Sequence, residues 1–154
     1  MILVDANNLL YADDSTCQEH DLCRGWLEQT LHDGETVAFS WPVLLAFLRI
    51  STDRRVYAKP RTWPEVQRIL SDLLSHPAVV VLAPGSGHWR TLERMLAAAA
   101  RLGPLVMDAH LAALAAEHDA DLCTNDRDFA RFPGLRLYKM IGNCFRVQGP
   151  GRGT

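Results

Sequence analysis

Short apolar runs alternate with segments of helical period along this chain. Ile2 to Val4 opens it as a strand, and Val37 to Phe39, Val79 to Leu82, Asp121 to Cys123 and Leu135 to Tyr138 follow as further strands. Between them, Cys23, Trp26, Leu27 and Leu31 recur at the three- and four-residue spacings of one helix face. Val66, Ile69, Leu70, Leu73 and Leu74 repeat the arrangement, as do Trp89, Leu92, Leu96 and Ala99, and the tryptophans in these stripes read as core. Pro42 suits the first turn of a helix through Leu48, and Asp108 to Glu117 is apolar on nearly every side, as a buried helix requires. Strand and helix in alternation predict an α/β fold of three layers, with a mostly parallel central sheet flanked by helices.

At 154 residues the chain suits one domain with a real core. The domain is read as residues 1–141, with 142–154 as a flexible tail because Gly149-Pro150-Gly151-Arg152-Gly153-Thr154 is rich in Gly and Pro. Hydrophobic residues make up 48% and charged residues 22%, the balance of a globular protein. No apolar run reaches the roughly 20 residues of a membrane span, and Met1-Ile2-Leu3-Val4-Asp5 lacks the basic start of a secretory leader. The expected location is the cytoplasm, with no membrane partner. Cys17, Cys23, Cys123 and Cys144 show neither C-x-x-C pairs nor zinc spacing and read as reduced thiols. The net charge of −2 provides no overall attraction to nucleic acid.

Ligands of open parallel sheets gather beyond the carboxyl ends of the strands. Three aspartates fall there. Asp5 closes the first strand, with Ala6 and Asn7 following it into a turn; Asp126 lies just past the strand ending at Cys123; Asp108 opens the buried helix. Carboxylates suit a hard cation such as Mg²⁺ or Mn²⁺, which activates water and stabilises charge on a phosphoryl oxygen. Each also has a structural explanation: Asp108 as an N-cap, Asp126 and Asp128 as turn residues. Asp5 is hardest to explain so, because a carboxylate directly after a buried strand must be solvated, paired or metal-bound.

Other polar residues fit less specific roles. Arg49, Arg54, Arg55, Lys59 and Arg61 face one acid, Asp53, and with Tyr57 and Trp63 form a candidate RNA grip or a solvated loop. His110 stands two residues past Asp108, on a different part of the helix, and reads as a satisfied core or surface histidine; His20, His88 and His118 form no metal spacing.

Ile2-Leu3-Val4-Asp5-Ala6-Asn7, the run Ser40-Trp41-Pro42-Val43-Leu44-Leu45-Ala46-Phe47-Leu48-Arg49-Ile50-Ser51-Thr52, Asp108-Ala109-His110-Leu111-Ala112-Ala113-Leu114-Ala115 and Thr124-Asn125-Asp126-Arg127-Asp128-Phe129 appear in an order that strongly resembles PIN-domain ribonuclease toxins of the VapC type. The similarity spans roughly Met1 to Tyr138. It implies the toxin of a type II toxin–antitoxin pair: a Mg²⁺- or Mn²⁺-dependent endoribonuclease, usually a homodimer, held by a small VapB-like antitoxin that can place an arginine near the acidic site. Asp5, Asp108 and Asp126 match the family's acidic positions, Asp128 a more peripheral one, and Thr124 and Asn125 the polar residues beside the last. One departure is Ala46, where many PIN domains carry a Glu. This puts a second metal ion in doubt and keeps open a module that binds RNA or an antitoxin without cutting. An aspartyl-phosphate phosphotransferase is the remaining alternative, weakened because Asn7 stands where a second Asp is usual and the only lysines are Lys59 and Lys139.

Overall fold

A computed structural model describes residues 1–99, 102–141 and 144–148. Strands are β1 (Ile2–Val4), β2 (Val37–Ser40), β3 (Val79–Leu82), β4 (Asp121–Cys123), β5 (Leu137–Ile141) and β6 (Cys144–Gln148). Helices are α1 (Ala6–Asp13), α2 (His20–His32), α3 (Trp41–Ser51), α4 (Trp63–Leu74), α5 (His88–Ala98) and α6 (Val106–Glu117), and Arg127–Arg131 forms a 3-10 turn. The sheet order is β3-β2-β1-β4-β5-β6, with β1 to β5 parallel and β6 antiparallel to β5. From β1 the chain builds outward through β2 and β3, then returns to the other side of β1 with β4 and β5. The order therefore reverses between β1 and β4, the place where such sheets hold ligands.

Both faces of the central strands are covered. Leu3, Val37, Ala38, Phe39, Leu122 and Cys123 are fully buried, so the apolar runs continue without alternation. Helix α6 buries Ala109 and every residue from Leu111 to Ala115, and packs against α5 and β4. Its small side chains permit that close approach. Local signals start several helices: Ser40 Oγ accepts from Val43 N–H at the start of α3, with Pro42 in the first turn, and Glu65 accepts from Thr62 N–H at 2.7 Å ahead of α4. Gly34, at φ +74°, lets the chain leave α2 toward β2.

Four expectations require correction. Ala6 and Asn7 begin α1 rather than a turn, with Asp5 as its N-cap. Two asparagines disfavour helix locally, and the cap and the buried Asn8, Leu9, Leu10 and Ala12 outweigh that preference. The boundary drawn at residue 142 falls within a pair of strands, because Cys144–Gln148 pairs with β5; residues 149–154 lie outside the described residues. Asp108 is not an N-cap: Leu105 holds that position and Asp108 lies in the first turn of α6. Finally, Trp89 is 64% exposed. Met95 marks the buried direction of α5, and six residues turn a helix by about 600°, leaving Trp89 about 120° off that face. Trp26 does pack inside, its ring 5.7 Å from that of Tyr138.

Candidate active site

A cleft of about 570 Å³ opens where β1, α1, α3, α6 and the loop after β4 meet, and Asp5, Asp108 and Asp126 all line it. Asn7, Ser40, Ala46, Arg49 and His110 complete its polar and small lining, with Leu45 and Met107 as exposed apolar residues at its wall. Three residues scattered over more than a hundred positions thus reach one site because β1 and β4 are neighbours and α6 leads into β4.

Asp5 is nearly buried. Its Oδ1 accepts from Ala6 N–H at 2.7 Å and its Oδ2 from the Thr124 hydroxyl at 2.9 Å. Thr124 is fully buried, and its Oγ1 also accepts from Asp126 N–H at 3.0 Å. One hydroxyl therefore joins the ends of β1 and β4 and sets the angle of both acidic residues. Asp126 in turn caps the 3-10 turn, accepting from Asp128 N–H at 2.8 Å.

Burial raises the Asp5 carboxyl above its ordinary range; the hydrogen bonds from Thr124 and Ala6 oppose this, and the charge of Asp126 adds to it. Asp108 is pushed up to about 6, first by burial and then by the charges of Asp5, Asp126 and Asp128, with Arg131 pulling the other way. The acids sense one another through the cleft. A raised acid holds its proton in the folded state over a range where the unfolded chain has lost it, so stability falls as pH rises. For Asp108 that window runs from about 4 to about 6, and because the group is half-exposed we expect a loss of only ~1 kcal/mol. Thermal melts in chelator at pH 4.5 and 7 check this: Asp108→Asn should flatten the decline, and an unchanged slope would contradict it.

All three acids offer oxygen, the donor a hard cation selects, and a divalent ion would relieve the repulsion that adds to burial in raising Asp5 and Asp108. Among the described residues no group of three or more His, Cys, Asp or Glu side chains is drawn together as a ready-made set of metal ligands. Mg²⁺ usually binds through one or two carboxylates and keeps several waters, so an open acidic set fits it.

The remaining sequence candidates divide. Asn7 and Arg49 reach the cleft. Asn125 is half-buried beside Asp126 without lining it, and Asp128 is ion-paired with Arg131 instead. Of the five basic residues, Arg49 alone lines the cleft. Arg55 pairs with Asp53 at 2.9 Å and Arg61 with Asp13 at 2.8 Å, Lys59 and Arg61 line a separate depression with Asp14 and Tyr57, and Arg54 is exposed. His110, placed on another part of the helix from sequence, in fact lines the cleft with Asp108. It is bonded to His88, whose other ring nitrogen meets Glu117. Burial and the His88 ring lower His110 from its ordinary range. Ser40 was also missed; a serine just before a Pro-initiated helix is its signal, since a capping residue at a strand end must sit at the sheet's carboxyl edge.

A mixed sheet with an acidic cleft at its switch point defines a class of α/β domain, and residues 2–135 match the PIN domain family, to which this chain belongs. Within it the curated relatives are VapC ribonucleases. Ribonuclease VapC37 of Mycobacterium tuberculosis (strain ATCC 25618 / H37Rv) is 40% identical over 136 residues, covering 88% of this chain and 94% of the relative. Ribonuclease VapC43 of the same strain is 38% identical, covering 88% and 92%. The resemblance to VapC-type PIN domains read from the motifs is thereby borne out. Among solved structures, VapBC2 from Rickettsia felis, bound to a DNA fragment from its promoter, superposes with a TM-score of 0.67 at 21% identity over 90% of this chain and 98% of that one. FitAB bound to an IR36 DNA fragment gives 0.60 at 16% identity over 90% and 94%. These likenesses bear on the fold, which is that of the VapC structures. Among the described residues no helix is long and apolar enough to cross a membrane.

Proposed function

We propose that this chain is a divalent-metal-dependent endoribonuclease and the toxin of a type II toxin–antitoxin pair. The convergence of Asp5, Asp108 and Asp126 on one cleft carries the proposal, and the VapC ribonucleases at 38–40% identity support the substrate class. An Mg²⁺ or Mn²⁺ ion held by one or two of these carboxylates, with waters completing its shell, would supply an activated water and charge stabilisation at a phosphoryl oxygen. The chain's own side chains prepare that site. Thr124 holds Asp5 and the Asp126 backbone in register, and Arg49, exposed on α3 at the cleft, offers a charge-assisted hydrogen bond to an RNA phosphate. Arg54, Arg55, Lys59 and Arg61, away from the cleft, serve at most to hold more distant phosphates. Asn7 lines the cleft as a polar side chain suited to bond a water there, with Asn125 and Asp128 supporting the Asp126 turn.

Ala46 contributes only a methyl group to the cleft wall, so three carboxylates suit one ion rather than two. Neither Lys59 nor Lys139 lines the cleft, which argues against a phosphotransferase. A VapB-like antitoxin is the expected partner, and Leu45 and Met107, 56% and 54% exposed at the cleft, are apolar surface such a partner would cover. A homodimer is expected from the same family reading.

The test is cleavage of labelled structured RNA by the purified chain. Cleavage should need Mg²⁺ or Mn²⁺, stop in chelator and return when metal is restored. Activity indifferent to metal would overturn the proposal.

A further inference from the structure

His110 and Glu117 lie seven residues apart on α6, a spacing of two turns and about 10.5 Å that places both on nearly the same side of the helix. His88, in the first turn of α5 and seven residues before the buried Met95, faces α6 between them. Its Nδ1 lies 2.7 Å from Glu117 Oε2 and its Nε2 lies 2.9 Å from His110 Nδ1. The two histidine rings meet edge to face with centroids 4.9 Å apart. His88 and Glu117 keep only 12% and 13% side-chain exposure, whereas His110 lines the acidic cleft. A bonded chain therefore runs from a sheltered carboxylate to the cleft wall.

The carboxylate sets the direction of the bond it receives, and a neutral His88 ring then sets the next. A carboxylate oxygen only accepts, so His88 Nδ1 carries hydrogen and donates. With one proton on its ring, His88 Nε2 accepts, and His110 Nδ1 donates to it. With both rings neutral, His110 is left with a bare Nε2, the ring nitrogen that His88 does not engage.

We infer that Glu117 and His88 are positioning residues that hold His110 in the tautomer whose Nε2 offers a hydrogen-bond acceptor to the cleft, where it takes a hydrogen bond from a ribose 2′-hydroxyl of RNA. The inference rests on the ribonuclease reading. Phosphate oxygens are acceptors and cannot satisfy a bare nitrogen, whereas a hydroxyl can. The 2′-hydroxyl is also the donor that distinguishes RNA from DNA, so His110 becomes a specificity determinant.

Two measurements on the full chain test this. Long-range ¹H–¹⁵N spectra should show His110 Nδ1 protonated and Nε2 bare. Glu117→Gln, whose amide donates as readily as it accepts, should give mixed tautomers. A protonated His110 Nε2 in the wild type would overturn the inference.

The second measurement compares an all-ribose oligonucleotide with ones carrying a single 2′-deoxy substitution at each nucleotide around the mapped cleavage site. At one position the wild type should lose about five- to tenfold in kcat/KM, the worth of one neutral hydrogen bond. His110→Ala should lose nothing further there, and His110→Gln, which returns an acceptor oxygen, should recover part of the discrimination. His88→Ala should weaken it without contacting RNA. RNA cleavage with equal 2′-deoxy penalties in wild type and His110→Ala would overturn this inference alone, as would an effect of His110→Ala that is independent of the sugar. Failure of the wild type to cut or bind any RNA would overturn the ribonuclease reading, and the hydroxyl assignment with it.

Discussion

Asp5→Asn is expected to lower RNA cleavage by about 10²–10³-fold while leaving the fold intact. The substitution exchanges a negative oxygen for an amide of nearly the same shape. The amide oxygen can still accept from Ala6 N–H or Thr124, so the cap of α1 survives. What disappears is the charge, and that charge is what a cation in the cleft would bind. The same change should keep the melting temperature at or above the wild-type value in chelator, because burial and the nearby Asp126 charge make the ionised Asp5 unfavourable in the folded state. Kinetics and thermal melts on one preparation decide the matter. A variant that cuts RNA as fast as wild type would remove Asp5 from the chemistry, and one that melts far lower would give it a structural role instead.

Thr124→Val is expected to have the largest effect on stability, costing ~2–4 kcal/mol and lowering the melting temperature by roughly 5–15 °C. Valine has the same shape, so packing at this fully buried position is preserved. The hydroxyl, however, donates to Asp5 Oδ2 and accepts from Asp126 N–H. Its removal leaves a buried carboxylate oxygen and a backbone N–H without those partners, and uncompensated groups of this kind are costly. Cleavage should fall as well, since both acidic residues lose the group that sets their angle. Thr124→Ser retains the hydroxyl and loses one methyl group, for which ~1 kcal/mol is expected. Equal melting temperatures for the valine variant and wild type would contradict this account.

The strands were readable because each is an apolar run of a few residues bounded by polar or helical sequence, and β1, β3 and β4 fall where the runs lie. Helix α1 was not, since Asn7 and Asn8 are poor helix formers; Asp5, read as a possible ligand, is at once its cap. Strand β6 was passed over because the Gly- and Pro-rich end dominated the reading. The basic stretch illustrates the opposite error. Five cations close together in sequence disperse around a loop, where Asp53 and Asp13 take two of them and only Arg49 turns to the cleft.

By itself the sequence determined that this is an α/β chain with buried parallel strands, that acids stand at the strand and helix ends, and that its ordered motifs are those of the PIN family. Those properties are local, carried by hydrophobic period, capping residues and short runs. Only the tertiary structure decided that Asp5, Asp108 and Asp126 share one cleft and that Asp108 is held up to about 6 by burial and then by its acidic neighbours. It also decided that Thr124 ties two of the acids together and that His88 links Glu117 to His110. Hydrogen bonds act over about 3 Å and charge repulsion over about 10 Å, so both depend on which strands become neighbours. The reversal of strand order between β1 and β4 makes that choice, and no spacing along the chain encodes it.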